Sequence, residues 1–551
     1  MRFTAALLVA LAALLALTGC KPQDPKDPET WVARLADQDP TARRKAISEA
    51  RKTKQKAAAP ALVKALSDAR LREEAVLGLG ELGGPESVQP LLDAIDTKVG
   101  AGSDEATRAA TRTNAKIADA LSALGDPKAG PALLRLARSR DDLVRLAAVQ
   151  ALGQLKIKEG VPELAHIVDD EATPPLIIKK AVVSLGQIGD VAAIPALQHA
   201  LVLERQGVSF ISEASYSLFQ LGSDAVEPML RLAKDEDKEY LAWAKERSRA
   251  PAGTYAKAAL VLGDLGDNRA VPVLLARLKY TDPDPIPPTA HLLTNLVREF
   301  TADALGRLRA KEAVKPILEL VKTQDPQDEE LVTFATNALV YIGDRSVAPE
   351  LLKRAAVAGP FRLRLLCAQA ASLLGEPGLQ GALAAAANAK GKKASAESCA
   401  QELAALQIGE VAEGQACARL AEERSKAFAR LAAPLEAAKE CGLATASAGC
   451  WSQKLADPQP LVRARAAYEL GRAGAAAAIP ALTKAASDAD LTARLAAIRA
   501  LEWLLPLQDA REQLKAASRT LAAQLQAEQG RVQLAKVNEE LKRLQARLAR
   551  L

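Results

Sequence analysis

The chain has 551 residues, with six cysteines and three histidines, and the spacing of these side chains decides what chemistry is available. Five cysteines, Cys367, Cys399, Cys417, Cys441 and Cys450, fall within one stretch. In an exported chain such thiols meet an oxidising compartment and pair. The expected pairs are Cys441–Cys450, the closest in sequence, and Cys399–Cys417, facing each other across a helical hairpin that turns near Gly409. Cys367 lies in the apolar run Leu365-Leu366-Cys367-Ala368 and reads as a buried thiol. A metal site is the alternative for this group, opposed by the lack of a C-x-x-C pair and of a nearby histidine. The same lack opposes redox catalysis. His166 and His199 each follow a proline by four residues, which gives them equivalent positions on successive helices. A shared metal or a pH-sensitive contact is one reading. The other is a half-exposed boundary, because Arg135, Leu232, Ala276, Leu320 and Lys353 occupy the same position elsewhere. Carboxylate pairs such as Glu73-Glu74 and Asp141-Asp142 read as solvated faces or helix caps. No Gly-x-Ser-x-Gly elbow and no phosphate-cradling glycine loop is present. The sequence therefore assigns no catalytic residue, no metal and no cofactor.

The elements that carry these residues follow from a recurring pattern. In Leu262-Gly263-Asp264-Leu265-Gly266-Asp267 a glycine precedes Pro272 by six positions, and the same offset joins Gly189 to Pro195, Gly343 to Pro349 and Gly474 to Pro480. Glycine takes the left-handed conformation that commonly ends a helix. The aspartate after it (Asp126, Asp190, Asp267, Asp344) accepts from free backbone N–H groups where the next helix begins. Proline suits an early helical position, where no N–H is needed. Each unit is thus helix, tight turn, helix. Two short amphipathic helices cannot bury their faces alone, but stacked copies can. Marker glycines recur after 33 residues from Gly189 to Gly222 and after 32 from Gly343 to Gly375.

This pattern resembles the HEAT family, in particular the short repeats related to phycobilisome lyases. Asp142-Leu143-Val144-Arg145 through Leu152-Gly153 and Pro460-Leu461-Val462-Arg463 through Leu470-Gly471 carry the first half of the repeat well. The resemblance implies an all-α solenoid of stacked helical hairpins. It is specific for fold and not for function. A HEAT-repeat hydroxylase family binds iron through paired His-Glu motifs, and none appears here.

The amino terminus sets the expected address. Met1-Arg2 is followed by an apolar run from Ala5 to Leu17, too short for a comfortable membrane span, and it reads as a signal peptide. Leu17-Thr18-Gly19-Cys20 resembles the bacterial lipoprotein box, which implies cleavage before Cys20 and a lipid on its sulfur. Lys21 follows instead of the aspartate that marks inner-membrane retention in such lipoproteins, so the resemblance points to the outer membrane, on its periplasmic or surface face.

The expected organisation is a leader over 1–19, a lipidated cysteine and tether over 20–29, a HEAT-like array over 30–389, an irregular cysteine-containing segment over 390–450, further repeats over 451–510 and a C-terminal helix over 511–551. Three insertions, at 97–105, 235–253 and 282–288, follow a second helix and precede the next first helix, which places them on one edge of a solenoid. That edge and the adjoining second-helix face are the expected recognition surface. Tyr240 and Trp243 are candidate partner-binding anchors, with Asp282, Pro283, Pro285 and Pro287 from the last insertion. At the carboxyl end Leu534, Val537, Leu541, Leu544, Leu548 and Leu551 form an a/d seam, with Lys542, Arg543, Arg547 and Arg550 on its outside. Three uses fit it: weak self-association, docking on a partner helix, or folding back as a cap over the last repeat. Hydrophobic residues are 49%, aromatics 3% and charged residues 25%, with a net charge of +6. So small an excess over so long a chain argues against a nucleic-acid surface, and scarce aromatics argue against base stacking. The expected function is a membrane-anchored, non-enzymatic protein-binding scaffold of the bacterial cell envelope. Its membrane contact is the N-terminal lipid and its envelope partner is not named by the sequence. The alternative is an enzyme or cofactor carrier of the HEAT-like lyase type.

Overall fold

The computed structural model describes residues 28–96, 104–285, 289–323, 328–357, 360–388, 396–405, 412–443, 447–528 and 531–551. Cys20, the leader, most of the tether, Pro287, Gly409 and Gly530 lie outside them. The architecture is all-α apart from one two-stranded antiparallel ribbon, Glu204–Arg205 with Val208–Ser209. Its tip, Gln206-Gly207, has φ of 52° and 74° at both positions, the tight hairpin geometry that suits twisted strands. The sequence reading placed no strand here. Among the described residues no helix is long and apolar enough to cross a membrane.

The chain divides into two compact units, Met1–Leu221 and Gly222–Leu551. In the first, the first helices of successive pairs stack in order: Pro40–Lys52, Arg72–Leu82, Glu105–Leu124, Asp142–Gln154, Pro175–Ile188 and Ile211–Leu221. In the second unit the corresponding row is Pro251–Leu265, Ala290–Arg307, Glu329–Ile342, Phe361–Leu374, Ala416–Cys441, Pro460–Arg472 and Leu491–Leu504. The cysteine-containing segment, expected to be irregular, thus supplies a 26-residue helix that keeps the row continuous.

The repeat turn differs from the expectation in one detail. Asp126, Asp190, Asp267 and Asp344 accept from the backbone N–H two residues on, at 2.9–3.0 Å. Each opens one turn of 3-10 helix before the second helix begins. Gly189 and Gly266 take the expected left-handed conformation, with φ of 72° and 74°. Gly83 and Gly375 do not, because those helices end in extended backbone.

The other glycine of the Leu-Gly-x-x-Gly pattern has a separate role. A Cβ on Gly306 would sit 2.7 Å from the Ala338 Cα, and one on Gly263 2.9 Å from the Ala304 Cα. These helical glycines let neighbouring first helices touch backbone to side chain, which draws the first-helix row together.

Candidate functional site

The close first-helix row turns its C-terminal ends into the interior of the second unit, and these ends bring charge with them. Asp264, Arg307, Arg499 and Glu502 are contributed by three first helices, and all are buried or nearly so. The C-terminal helix Ala535–Leu548 lies against this wall. Val537, Leu541, Leu544 and Leu548 are at most 3% exposed, so the heptad seam is covered by the chain's own helices. Folding back is the outcome, but the helix reaches well past the last repeat. Glu540 meets Arg307 at 2.8 Å and Arg499 at 3.4 Å. Arg543 meets Asp264 at 2.9 Å, and Arg547 lies 3.5 Å from Glu502 and also donates to the Asp264 carbonyl. Arg543 was expected on the outside of the seam and is buried, because Asp264 sits within the unit to receive it. Lys542 and Arg550 remain exposed.

Four arginines and five carboxylates make up this network: Arg307, Arg499, Arg543 and Arg547 with Asp264, Asp303, Glu502 and Glu540, and Glu539 at 3.6 Å from Arg543 on its exposed side. Burial raises the Glu540 carboxyl, but Arg307, Arg499 and Arg543 outweigh it and hold it at about 2. Burial dominates at Asp264, whose carboxyl is raised despite its arginine partners. Burial lowers the Arg499 guanidinium, yet Glu502 and Glu540 more than restore it.

Beside this network lies a second charged group, in which guanidiniums outnumber carboxylates. Glu469 accepts from Arg345 at 2.6 Å and from Arg472 at 3.3 Å, and Arg465 stands 3.7 Å away. Arg309 lies over the Trp503 ring at 4.8 Å, and Arg472 lies over the same ring at 5.9 Å. A cavity of about 210 Å³ is lined by Arg309, Arg345, Glu469 and Arg472, with Gly343 and Trp451 in its wall. Two walls far apart in sequence make it, one from 309–345 and one from 443–473.

The residues singled out in the sequence fall as follows. Cys399 is joined to Cys417, with Cα atoms 5.1 Å apart, and Cys441 to Cys450. Cys367 is buried, which pushes its thiol up to about 11. His199 Nδ1 faces Asp169 at 2.9 Å, so its recorded partner is a carboxylate on the preceding second helix. Among the described residues no group of three or more His, Cys, Asp and Glu is arranged to hold a metal. Tyr240 is 2% exposed, and its hydroxyl is 2.9 Å from the Thr254 hydroxyl. Its candidacy as a partner anchor is therefore corrected: the amphipathic helix Lys238–Glu246 turns it into the core. Trp243 stays half-buried, 5.6 Å from the Tyr240 ring and under Arg247. The Asp282 backbone N–H donates to the Thr294 hydroxyl, while Pro283 and Pro285 are exposed. The arginine-lined cavity was missed in sequence because its residues come from separate repeats. One signal was available: Arg465, Glu469 and Arg472 are charged residues at i, i+4 and i+7 on a first helix whose other faces are apolar.

The comparisons with known proteins agree with this architecture. Residues 28–112, 131–208 and 451–532 match the model of HEAT repeats, and 255–280 matches the PBS lyase HEAT-like repeat. No curated protein matches the chain. Among solved structures, human deoxyhypusine hydroxylase is 18% identical over 57% of this chain and 95% of its own, with a TM-score of 0.21. The complex of CpcE and CpcF of phycocyanin lyase from Nostoc is 20% identical over 59% and 97%, with a TM-score of 0.22. Kap95p bound to RanGDP is 12% identical over 93% and 70%, with a TM-score of 0.40. These likenesses concern the fold alone. The chain carries HEAT repeats and a PBS lyase HEAT-like repeat, and it is an all-α solenoid.

Proposed function

We propose that the protein is a non-enzymatic, protein-binding scaffold of the bacterial cell envelope, anchored through a lipid on Cys20. The observation that supports binding is the distribution of exposed apolar side chains. Leu143 is 50% exposed and Leu176 56%, and each stands in the first turn of a first helix. Leu292, Leu293 and Leu491 occupy the same kind of position in the second unit, and Leu241 lies on the insertion helix. Within each unit these residues mark the connections between repeats, the edge that also carries the insertions. Single exposed leucines are ordinary, but their recurrence in the first turn of several first helices supports a binding edge there, while the exposed Val191 lies in a repeat turn instead. Support for the address comes from the apolar run and Leu17-Thr18-Gly19-Cys20.

The test is crosslinked capture from intact cells with the native chain, a Cys20→Ala control and a Leu143→Glu/Leu176→Glu variant. The reading expects a defined set of envelope proteins with the native chain and loss of that set with both variants. Equal capture by all three removes both the anchor and the edge. Loss with Cys20→Ala alone keeps the anchor and removes the edge.

A further inference from the structure

We propose that the cavity between Arg309, Arg345 and Arg472 is a binding site for a small multivalent oxyanion, a ligand presenting phosphate or carboxylate oxygens. This goes beyond the scaffold reading, and neither depends on the other.

The charge count carries the argument. The network around Glu540 surrounds four guanidiniums with five carboxylates. The neighbouring group places Arg345, Arg465 and Arg472 around Glu469, the carboxylate that pairs with them among the described residues, and Arg465 and Arg472 also donate to backbone carbonyls of Ser372, Gly375 and Val340. Guanidiniums outnumber carboxylates in this group, and the exposed Arg309 adds a further positive charge at the rim of the cavity. Buried charge of one sign is costly unless something answers it.

The donors point the same way. Arg345 and Arg472, which line the cavity, each keep a buried Nε without a hydrogen-bond partner, as do several arginines elsewhere among the described residues, so these two donors are available to a ligand but do not by themselves mark the site. Arg472 Nε lies at the cavity wall, 2.7 Å from where a Cβ on Gly343 would stand. Burial lowers the Arg465 guanidinium to about 10, and the neighbouring arginines Arg472 and Arg345 add to that while Glu469 opposes it. Burial also lowers Arg472, with Arg345 and Arg309 contributing and Glu469 opposing. An incoming anion relieves this crowding.

The geometry sets the ligand class. Guanidinium forks match the paired oxygens of a carboxylate or phosphate. The Trp503 ring holds Arg309 by its face, leaving the edge of the fork for a ligand. At about 210 Å³ the space suits an anion of few heavy atoms and is below the usual range for a drug-sized molecule. Because the two walls belong to distant repeats, an anion held there also ties them together.

Titration calorimetry on the intact chain tests this, with inorganic phosphate and citrate as separate probes at constant ionic strength and glycerol as the neutral control. Saturable binding of one anion per chain is expected, with at least one probe. Phosphate alone identifies tetrahedral recognition, and citrate alone identifies carboxylate recognition. Arg309→Gln/Arg345→Gln should weaken binding about tenfold or more, the loss expected for charge-assisted hydrogen bonds. If that double variant does not fold, Arg309→Gln alone serves, since Arg309 lies at the exposed rim and makes no ion pair among the described residues. No saturable heat with either anion, or undiminished affinity in the folded variant, overturns the site.

Discussion

Glu540→Gln is the perturbation that best separates a packed C-terminal helix from a loosely attached one. Glu540 is 3% exposed and faces Arg307 and Arg499 across the interface with the C-terminal helix. Removing one member of a buried pair costs about 3–5 kcal/mol, because the other charge stays buried. The depressed acidity of Glu540, which comes from the same arginines, corresponds to a similar figure. The carboxyl is held at about 2 against an ordinary value of 4.5, a difference of about 3 kcal/mol in favour of the ionised, docked state. The sign follows from the direction. A depressed acid contributes its full stability above the unfolded value of 4.5 and loses it as the pH falls from there towards about 2. The assay is hydrogen exchange of the segment 535–548, corrected for intrinsic rates. Glu540→Gln should raise its exchange about a hundredfold at neutral pH, the kinetic equivalent of about 3 kcal/mol. In the native chain the segment should lose protection between pH 4.5 and about 2, and the variant should lack most of that transition. A change below about threefold, or an acid transition identical in both proteins, refutes the electrostatic account and leaves the four seam residues as the whole attachment.

Three further outcomes follow from particular residues. Gly306→Ala should lower stability by about 1–3 kcal/mol in thermal unfolding, because the overpacking against Ala338 exceeds the small gain in helix propensity. Glu299 is raised to about 7 by burial, then by Glu330 and Asp328, so the native state holds an extra proton and loses stability as the pH rises from 4.5 to about 7. Glu299→Gln should flatten that slope in denaturant melts between pH 4.5 and about 7, and an unchanged slope in that range would count against it. Apart from Cys20, thiol counting under denaturing, non-reducing conditions should find one free thiol, Cys367, and that thiol should resist alkylation in the native state.

Much of the fold is legible in local signals. The glycine-to-proline offset of six, the aspartate between them and the apolar period suffice to give helical pairs and their stacking. Each signal acts within one repeat, so no long-range information is required. The departures are local too. Gly83 and Gly375 end their helices in extended backbone, and the stretch 204–209 forms a hairpin, where a left-handed pair outcompetes helix.

The charged interior is a different matter. A heptad seam is equally suited to a second copy, a partner or its own chain, since any apolar wall satisfies it. What selects its own chain is Asp264 and Arg307 waiting inside the unit for Arg543 and Glu540, more than 200 residues later. The same holds for Tyr240, whose helix register turns it inward, and for the arginine cavity, whose walls come from 309–345 and 443–473. The sequence by itself determined the repeat, its turns and the apolar period of its helices, because these depend on neighbours within a few residues. Only the tertiary structure decided which charges are answered and which are not, because burial and charge balance are properties of the closed interior and of no single repeat.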